Sequence, residues 1–424
     1  MSISLSQIFK ASQLTKGGRL MEATRLIQQT LGIGKSAAAA RNQPRSDVEA
    51  GVPDSNDVSD VPFRETFRES SPRSANEPAF RQPLLKMPAA AEPTPSAFRE
   101  QPELDDPMVA PPAPRAPAAR PRPASFEDGS FRMGDTAHVY RLYVPSLTAA
   151  EVAEATLLPL IVLLHGCKQN AEDFALGTAM NALAEQDKCL VLYPEQSSQA
   201  NMMRCWNWFD AAHQARDAGE PKLIAALTRN VIENHHADPS RVYVAGLSAG
   251  GAMAAVVAGL YPEVFAAVGV HSGLPAGAAS DMMSAFSAMR NGAKESATGA
   301  ANGALEKGSA VVMPTIVFHG SADQTVNPGN GEHIIDAAIA ALRDAGIPLK
   351  KVAQTEASLG TKTGRRETLR TIYSAADGVP YVEYWAVGSG PHAWSGGDAA
   401  GSFTDPHGPS ASRAMLDFFL KHRR

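Results

Sequence analysis

Residues 241–260 read RVYVAGLSAGGAMAAVVAGL. The first six, Arg241 to Gly246, are a short apolar run of strand character, and the small apolar residues from Ala249 onward carry no Pro and read as a helix. Between them lies Gly246-Leu247-Ser248-Ala249-Gly250, a G-x-S-x-G sequence in strand–turn–helix context. Such a turn lifts a serine hydroxyl above the end of a sheet, and its flanking glycines are needed because side chains there would clash. Ser248 is therefore the expected nucleophile, against the plainer reading of a chance serine in a Gly-rich turn. Gly251 extends the small surface on which helix and strand can pack closely.

Working outward, strand and helix patterns alternate. HVYRLYVP (138–145) alternates like a strand, and LPLIVLLHG (158–166) is a continuous apolar run ending in Gly, as a buried parallel strand should be. A helix is expected from Asp173 to Gln186, then the strand CLVLYPE (189–195). Pro221 opens another helix, with Leu223, Ala226, Leu227 and Val231 on one face, and Asp238-Pro239-Ser240 turns the chain into RVYVAG. AAVGVH (266–271) and TIVFHG (315–320) read as strands, Glu332 to Arg343 as a helix, ETLRTIYS and VPYVEYWAVG as β-rich, and SASRAMLDFFLKH (410–422) as a last helix. Alternating βα units imply a mostly parallel sheet with helices on both faces, with ligands bound at the carboxyl ends of its strands.

A serine hydroxyl needs a base to take its proton and an acid to orient that base, in the chain order Ser, Asp, His. Asp323, in IVFHGSADQTVNP, and His392, in AVGSGPHAWSGG, both follow strands and fill those places. His319 precedes the acid and reads as structural; His333 falls on a helix; His407, in a late loop, is the competitor to His392. Among acids, Asp336 is helical and Asp398 follows the histidine. Two backbone donors are also required for the tetrahedral oxyanion: the N–H of Ala249, directly after the nucleophile, and that of Cys167 in HGCKQN, after the strand LPLIVLLHG.

Composition divides the chain of 424 residues. Of its 31 Pro, 17 lie before residue 124, whereas all four Trp and all three Cys lie after residue 166. Residues 1–34 carry Leu5, Ile8, Phe9, Leu20, Leu26, Ile27 and Leu31 at helical spacing around Gly17-Gly18, which reads as a short helical hairpin, either a marginal helix pair or a docking element for a protein or granule surface. Residues 35–129, rich in Pro, Ala, Arg, Glu and Ser, read as a disordered linker, and 130–424 as the catalytic domain. A formal charge of −5 gives no reason to expect nucleic acid, no apolar run is long enough for a membrane span, and three Cys exclude a four-Cys zinc site. The N-terminal residues break their apolar stretches with Ser, Gln and Lys, so no signal peptide is read and the cytoplasm is favoured.

LLHGCKQN, YPEQ, CWNWFD, RVYVAGLSAGGAMA, HGSADQTVNP and GPHAWSGG together resemble the polyhydroxybutyrate depolymerase-like esterases of the α/β hydrolase superfamily, a group similar to acetyl xylan and feruloyl esterases. The resemblance runs from about Asp135 to the C-terminus. It implies an α/β hydrolase fold, Ser248 as nucleophile, Asp323 as acid, His392 as base, an ester substrate of short-chain or hydroxyalkanoate type, no cofactor and no metal. A plant-cell-wall ester is the alternative substrate, and a granule-binding scaffold without catalysis the alternative function.

The resemblance also implies that Cys167 and Cys205 lie close together, as a disulfide or as two packed thiols. Cys189 reads as a buried small hydrophobe. Trp206 is expected as a wall of the substrate site, with core packing the alternative for it and Trp208, and Trp394 is expected to hold the loop of His392. Residues 274–310 interrupt the βα rhythm, either as a surface insertion or as a mobile cap lined by Met282, Met283 and Met289.

Overall fold

A computed structural model describes residues 119–293, 312–357 and 364–424. The expected hairpin at 1–34 and most of the expected linker lie outside them.

In chain order the described elements begin with β1 (Ser125–Met133), β2 (Thr136–Val144), α1 (Ala149–Ala153), β3 (Leu158–Leu164), α2 (Ala171–Thr178), α3 (Met180–Asp187) and β4 (Leu190–Pro194). A short 3-10 turn, Ala211–His213, precedes α4 (Gly219–Asn234), β5 (Ala237–Leu247), α5 (Ala249–Leu260), β6 (Ala267–His271) and α6 (Met282–Asn291). Then come β7 (Thr315–Gly320), α7 (Gly329–Asp344), β8 (Lys350–Ala357), β9 (Thr368–Ser374), β10 (Pro380–Val387), the two-residue strands β11 (Trp394–Ser395) and β12 (Thr404–Asp405), and α8 (Ala411–Phe419).

Ten strands form one sheet in the order β1-β2-β4-β3-β5-β6-β7-β10-β9-β8. The six central strands, β4 to β10, run parallel, and an antiparallel pair flanks them on each side. Every residue of β3, β4, β6 and β7 is buried, as strands covered on both faces require. The two-residue period sorts β3 cleanly: Leu160, Val162 and Leu164 face a core closed by α4, α5 and α7, while Ile161 and Leu163 face one closed by α2, α3 and α8.

Three sequence expectations are corrected. Residues 125–129, read as linker, are the first half of β1; their alternation is masked by charge and Gly, yet Phe126 packs edge-on against Tyr193. The helix expected over 173–186 is two helices, broken at Ala179 with φ 51° and ψ 24°. The break frees the Gly177 and Thr178 carbonyls, which accept from the Asp398 N–H and the Ser412 hydroxyl. Asp238-Pro239-Ser240, expected as a turn ahead of the strand, belongs to β5 itself and forms a bulge where Leu158 and Leu160 face Ala237 and Val242. Of residues 274–310, α6 is capped by Asp281, Met282 and Met283 are exposed, and Met289 packs on the core instead of joining them; 294–310 lie outside the described residues.

Candidate active site

Ser248 stands between β5 and α5 with φ 58° and ψ −119°, a backbone conformation that L-residues rarely adopt. Two contacts hold it there. Its N–H donates to the His271 carbonyl at 2.9 Å, and its own carbonyl accepts from the Ala252 N–H at 2.9 Å. The glycines are required by close approach: a Cβ on Gly250 would lie 2.0 Å from the Leu164 carbonyl oxygen, and one on Gly246 would lie 2.4 Å from the Gly250 carbonyl carbon. The Ser248 hydroxyl makes no hydrogen bond among the described residues, and Ala249 begins α5, so its N–H has no intrahelical acceptor.

Asp323 follows β7 and His392 follows β10, so these two residues and Ser248 all stand at carboxyl ends of parallel strands. His392 Nδ1 lies 2.7 Å from Asp323 Oδ2. The other carboxylate oxygen accepts from the Thr325 and Val326 N–H groups at 2.9 and 2.8 Å. Burial alone would raise the Asp323 pKa, but hydrogen bonds from His319, His392 and the Val326 backbone outweigh it and hold the carboxyl well below the usual range. Asp323 is therefore an ionised acceptor, the His392 proton sits on Nδ1, and Nε2 is left as the basic nitrogen.

His319, read as structural, is buried but is no bystander. Its Nε2 lies 3.0 Å from the Val326 carbonyl and 3.4 Å from Asp323 Oδ2, so that nitrogen carries the proton and faces the acid. The remaining rivals stand apart from this pair: His333 and Asp336 are on α7, and exposed His407 and Asp398 lie in turns, where the His407 N–H donates to Asp405 and the Asp398 carboxylate accepts from Ala400.

In the run 166–169 the backbone amides are engaged except one. The Gly166 N–H donates to the Gln169 side chain, the Lys168 N–H to the Met203 carbonyl and the Gln169 N–H to the Gly166 carbonyl, while the Cys167 N–H donates to nothing among the described residues. A disulfide joins Cys167 to Cys205, which settles the alternative left open by the sequence. Cys189 is a free buried thiol whose pKa burial pushes up to about 12, and is inert.

Two supports were not legible in the sequence. Gln169 donates to Asp173 and to the Ser402 carbonyl, and Asp173 in turn accepts from the Ser402 N–H, so a polar strut runs from the Cys167 loop to the loop carrying His392. Glu220, buried near the start of α4, accepts from Gln196, from the Asn207 N–H and from the Asn207 side chain. Burial raises its pKa against the opposing pull of His213, Asn207 and Gln196. This carboxylate gathers the YPEQ and CWNW segments into one strap, which the disulfide then ties to Cys167. Trp206, expected as a wall of the pocket, is only 1% exposed; tilted against His165 with its centroid 5.7 Å away, it turns from this strap into the core and has no face to offer a ligand. Trp394 does hold its loop: its indole N–H donates to Ser412, and its ring meets Phe174 edge-on.

Among the described residues no His, Cys, Asp and Glu cluster could hold a metal ion, and no helix is long and apolar enough to cross a membrane.

Comparison with known proteins gives a single direction. The chain is 36% identical over 234 residues to poly(3-hydroxyalkanoate) depolymerase C of Paucimonas lemoignei, matching 54% of this chain and 53% of that one. It thus spans about half the length of that relative. To a probable acetylxylan esterase A of Aspergillus clavatus it is 30% identical over 226 residues, covering 51% of this chain and 70% of the relative. Among solved structures, an acetyl xylan esterase from Aspergillus awamori superposes with TM-score 0.53 at 20% identity over 70% of this chain and 99% of that one, which shows the α/β hydrolase fold. The family described as esterase PHB depolymerase matches residues 138–347. On fold and sequence together, the chain belongs to the PHB depolymerase family of esterases.

Proposed function

We propose that the protein is a serine esterase that cleaves carboxylic esters through an acyl-enzyme on Ser248. The observation that carries this reading is the 2.7 Å contact of His392 Nδ1 with an ionised Asp323, which leaves Nε2 free to accept a proton. His392 Nε2 takes the Ser248 hydroxyl proton as the oxygen attacks the ester carbonyl. The oxyanion is held by the Ala249 and Cys167 N–H groups, neither of which has an acceptor among the described residues. His392 then gives its proton to the departing alkoxide, and water, deprotonated by the same nitrogen, releases the acid. Asp323 keeps the imidazole in this tautomer and stabilises it when it is charged.

The substrate we favour is a poly- or oligo-(3-hydroxyalkanoate), on the strength of the Paucimonas relative. The probable acetylxylan esterase of Aspergillus clavatus, matched over 70% of its length, supports an acetylated polysaccharide as the second reading. The disulfide beside the site fits an oxidising compartment and stands against the cytoplasmic expectation.

The test is hydrolysis of p-nitrophenyl butyrate by wild type and Ser248→Ala. Removing the nucleophile is expected to lower kcat by several orders of magnitude, of order 10⁴–10⁶. Equal rates in the two proteins would refute the reading. Release of hydroxyacid from soluble 3-hydroxybutyrate oligomers, set against release of acetate from acetylated xylan, then separates the two substrates.

A further inference from the structure

His271 ends β6, between the strand that leads to Ser248 and the strand that leads to Asp323. Its main-chain carbonyl accepts from the Ser248 N–H at 2.9 Å. Its side chain reaches the other way: the Ser395 N–H donates to His271 Nε2 at 2.9 Å. Nε2 is therefore the lone-pair nitrogen and the ring proton sits on Nδ1, 3.2 Å from the Ser272 hydroxyl. The ring is 1% exposed and stacks on both Phe318 and Trp394, with centroids 5.6 and 5.1 Å away. Burial, and after it the nearness of His319 and His392, holds its pKa well below the ordinary histidine range against a weaker opposing pull from Asp323, so the ring stays neutral and stays an acceptor.

Ser395 lies three residues beyond His392, and the segment around it is irregular apart from the two-residue pairing of β11 with β12. Its neighbours donate within that small sheet, Trp394 to Phe403 and Gly396 to Asp405, whereas the Ser395 N–H points out of it to His271. One residue thus grips the nucleophile's turn by its backbone and the base's loop by its ring.

We infer that His271 is a positioning residue, whose Nε2 sets the loop of His392 in register with Ser248. The inference rests on the acyl-enzyme reading above. General-base transfer depends steeply on the separation of hydroxyl and imidazole, and a misplacement of about 1 Å costs on the order of 100-fold in rate. A buried backbone N–H that loses its acceptor also has to move to find another partner.

The experiment measures kcat and KM on p-nitrophenyl butyrate together with the fraction of active sites titrated by a fluorophosphonate, for wild type, His271→Phe and His271→Gln. Phe keeps a flat ring in the stack and removes the acceptor; the Gln carbonyl can reach the position of Nε2. In His271→Phe, kcat per titrated site is expected to fall about 10–100-fold, with KM within about twofold of wild type, and Gln is expected to recover most of the loss. A merely structural role would lower the titrated fraction and leave kcat per titrated site unchanged, which overturns the inference, as does a Gln variant no faster than Phe. Should the Phe variant not fold, His271→Asn replaces it: its carbonyl falls short of Ser395, so a rate per site equal to that of Gln overturns the inference and a lower one supports it. A wild type that takes up no fluorophosphonate would refute the esterase reading itself, a result distinguishable from every outcome above.

Discussion

Asp323 has both carboxylate oxygens engaged before any substrate arrives: one faces His392 and His319, and the other accepts two backbone N–H groups. Orientation of the acid is therefore built into the loop that carries it. In Asp323→Asn the oxygen can keep the Thr325 and Val326 N–H groups, which turns the amide N–H₂ toward His392 Nδ1. That imidazole must then put its proton on Nε2, the wrong tautomer for taking one from Ser248. The expected result is a fall in kcat of about 10⁴ with little change in KM, measured on p-nitrophenyl butyrate at pH 7.5. At this scale Ser248, Asp323 and His392 were legible because each is announced by its own strand-end motif and by chain order. His271 and Gln169 were not, because their partners Ser395 and Ser402 lie 124 and 233 residues away and nothing local marks the pairing.

The break between α2 and α3 shows how an element serves the site from a distance. Without it, the two carbonyls at the end of α2 would be tied up in helix; with it, they hold Asp398, between β11 and β12, and Ser412, beyond β12. Gly177 and Gly401 meet there backbone to backbone, and a Cβ on Gly401 would lie 2.3 Å from the Gly177 Cα. Neither atom is the end of a flexible side chain, so Gly401→Ala must push helix and loop apart. It is expected to destabilise the protein by about 1–3 kcal/mol, read as a lower urea midpoint at unchanged slope, with kcat falling because the displaced loop carries His392. The sequence reading joined α2 and α3 because Gly177-Thr178-Ala179 contains no proline and apolar residues recur on both sides. The reason for the break lies in segments more than 200 residues further on.

For the whole molecule, buried neutral histidines govern stability in mild acid. Burial lowers the pKa of both His165 and His422 to about 4 and that of His271 well below its ordinary value. Each binds a proton more readily in the unfolded chain, near pH 6.5, than in the fold, so between those values the unfolded state holds more protons and stability rises with pH. Stability is accordingly full above about pH 6.5 and falls as the pH drops toward 4, by about 3 kcal/mol for His165 alone if its shift is fully expressed. The depressed carboxyls Asp323 and Asp238 contribute their loss only below about pH 4. Glu220, with a raised pKa, works in the opposite sense above that value. Urea unfolding at pH 7.5, 6.0 and 5.0 should show a steady decline, with a shallower slope in His165→Asn; a flat profile would contradict it. That the central strands form a parallel sheet was legible because the mainly apolar runs at 158–166, 189–195, 241–246, 266–271 and 315–320 need cover on both faces; their order in the sheet was not. The flanking strands were less so, since β1 carries Glu127, Asp128 and Gly129 and is ordered by pairing along its whole length with β2.

The bridge between Cys167 and Cys205 lies outside the sheet and joins two loops 38 residues apart, with α2, α3 and β4 packed in the core between them. The history of a preparation is therefore written into that loop. Protein made in the reducing interior of a production host is expected to keep its buried sheet while the Cys167 loop loses its covalent tie to Cys205. Oxidising such a preparation is then expected to raise its activity on p-nitrophenyl butyrate with no change in its circular dichroism spectrum.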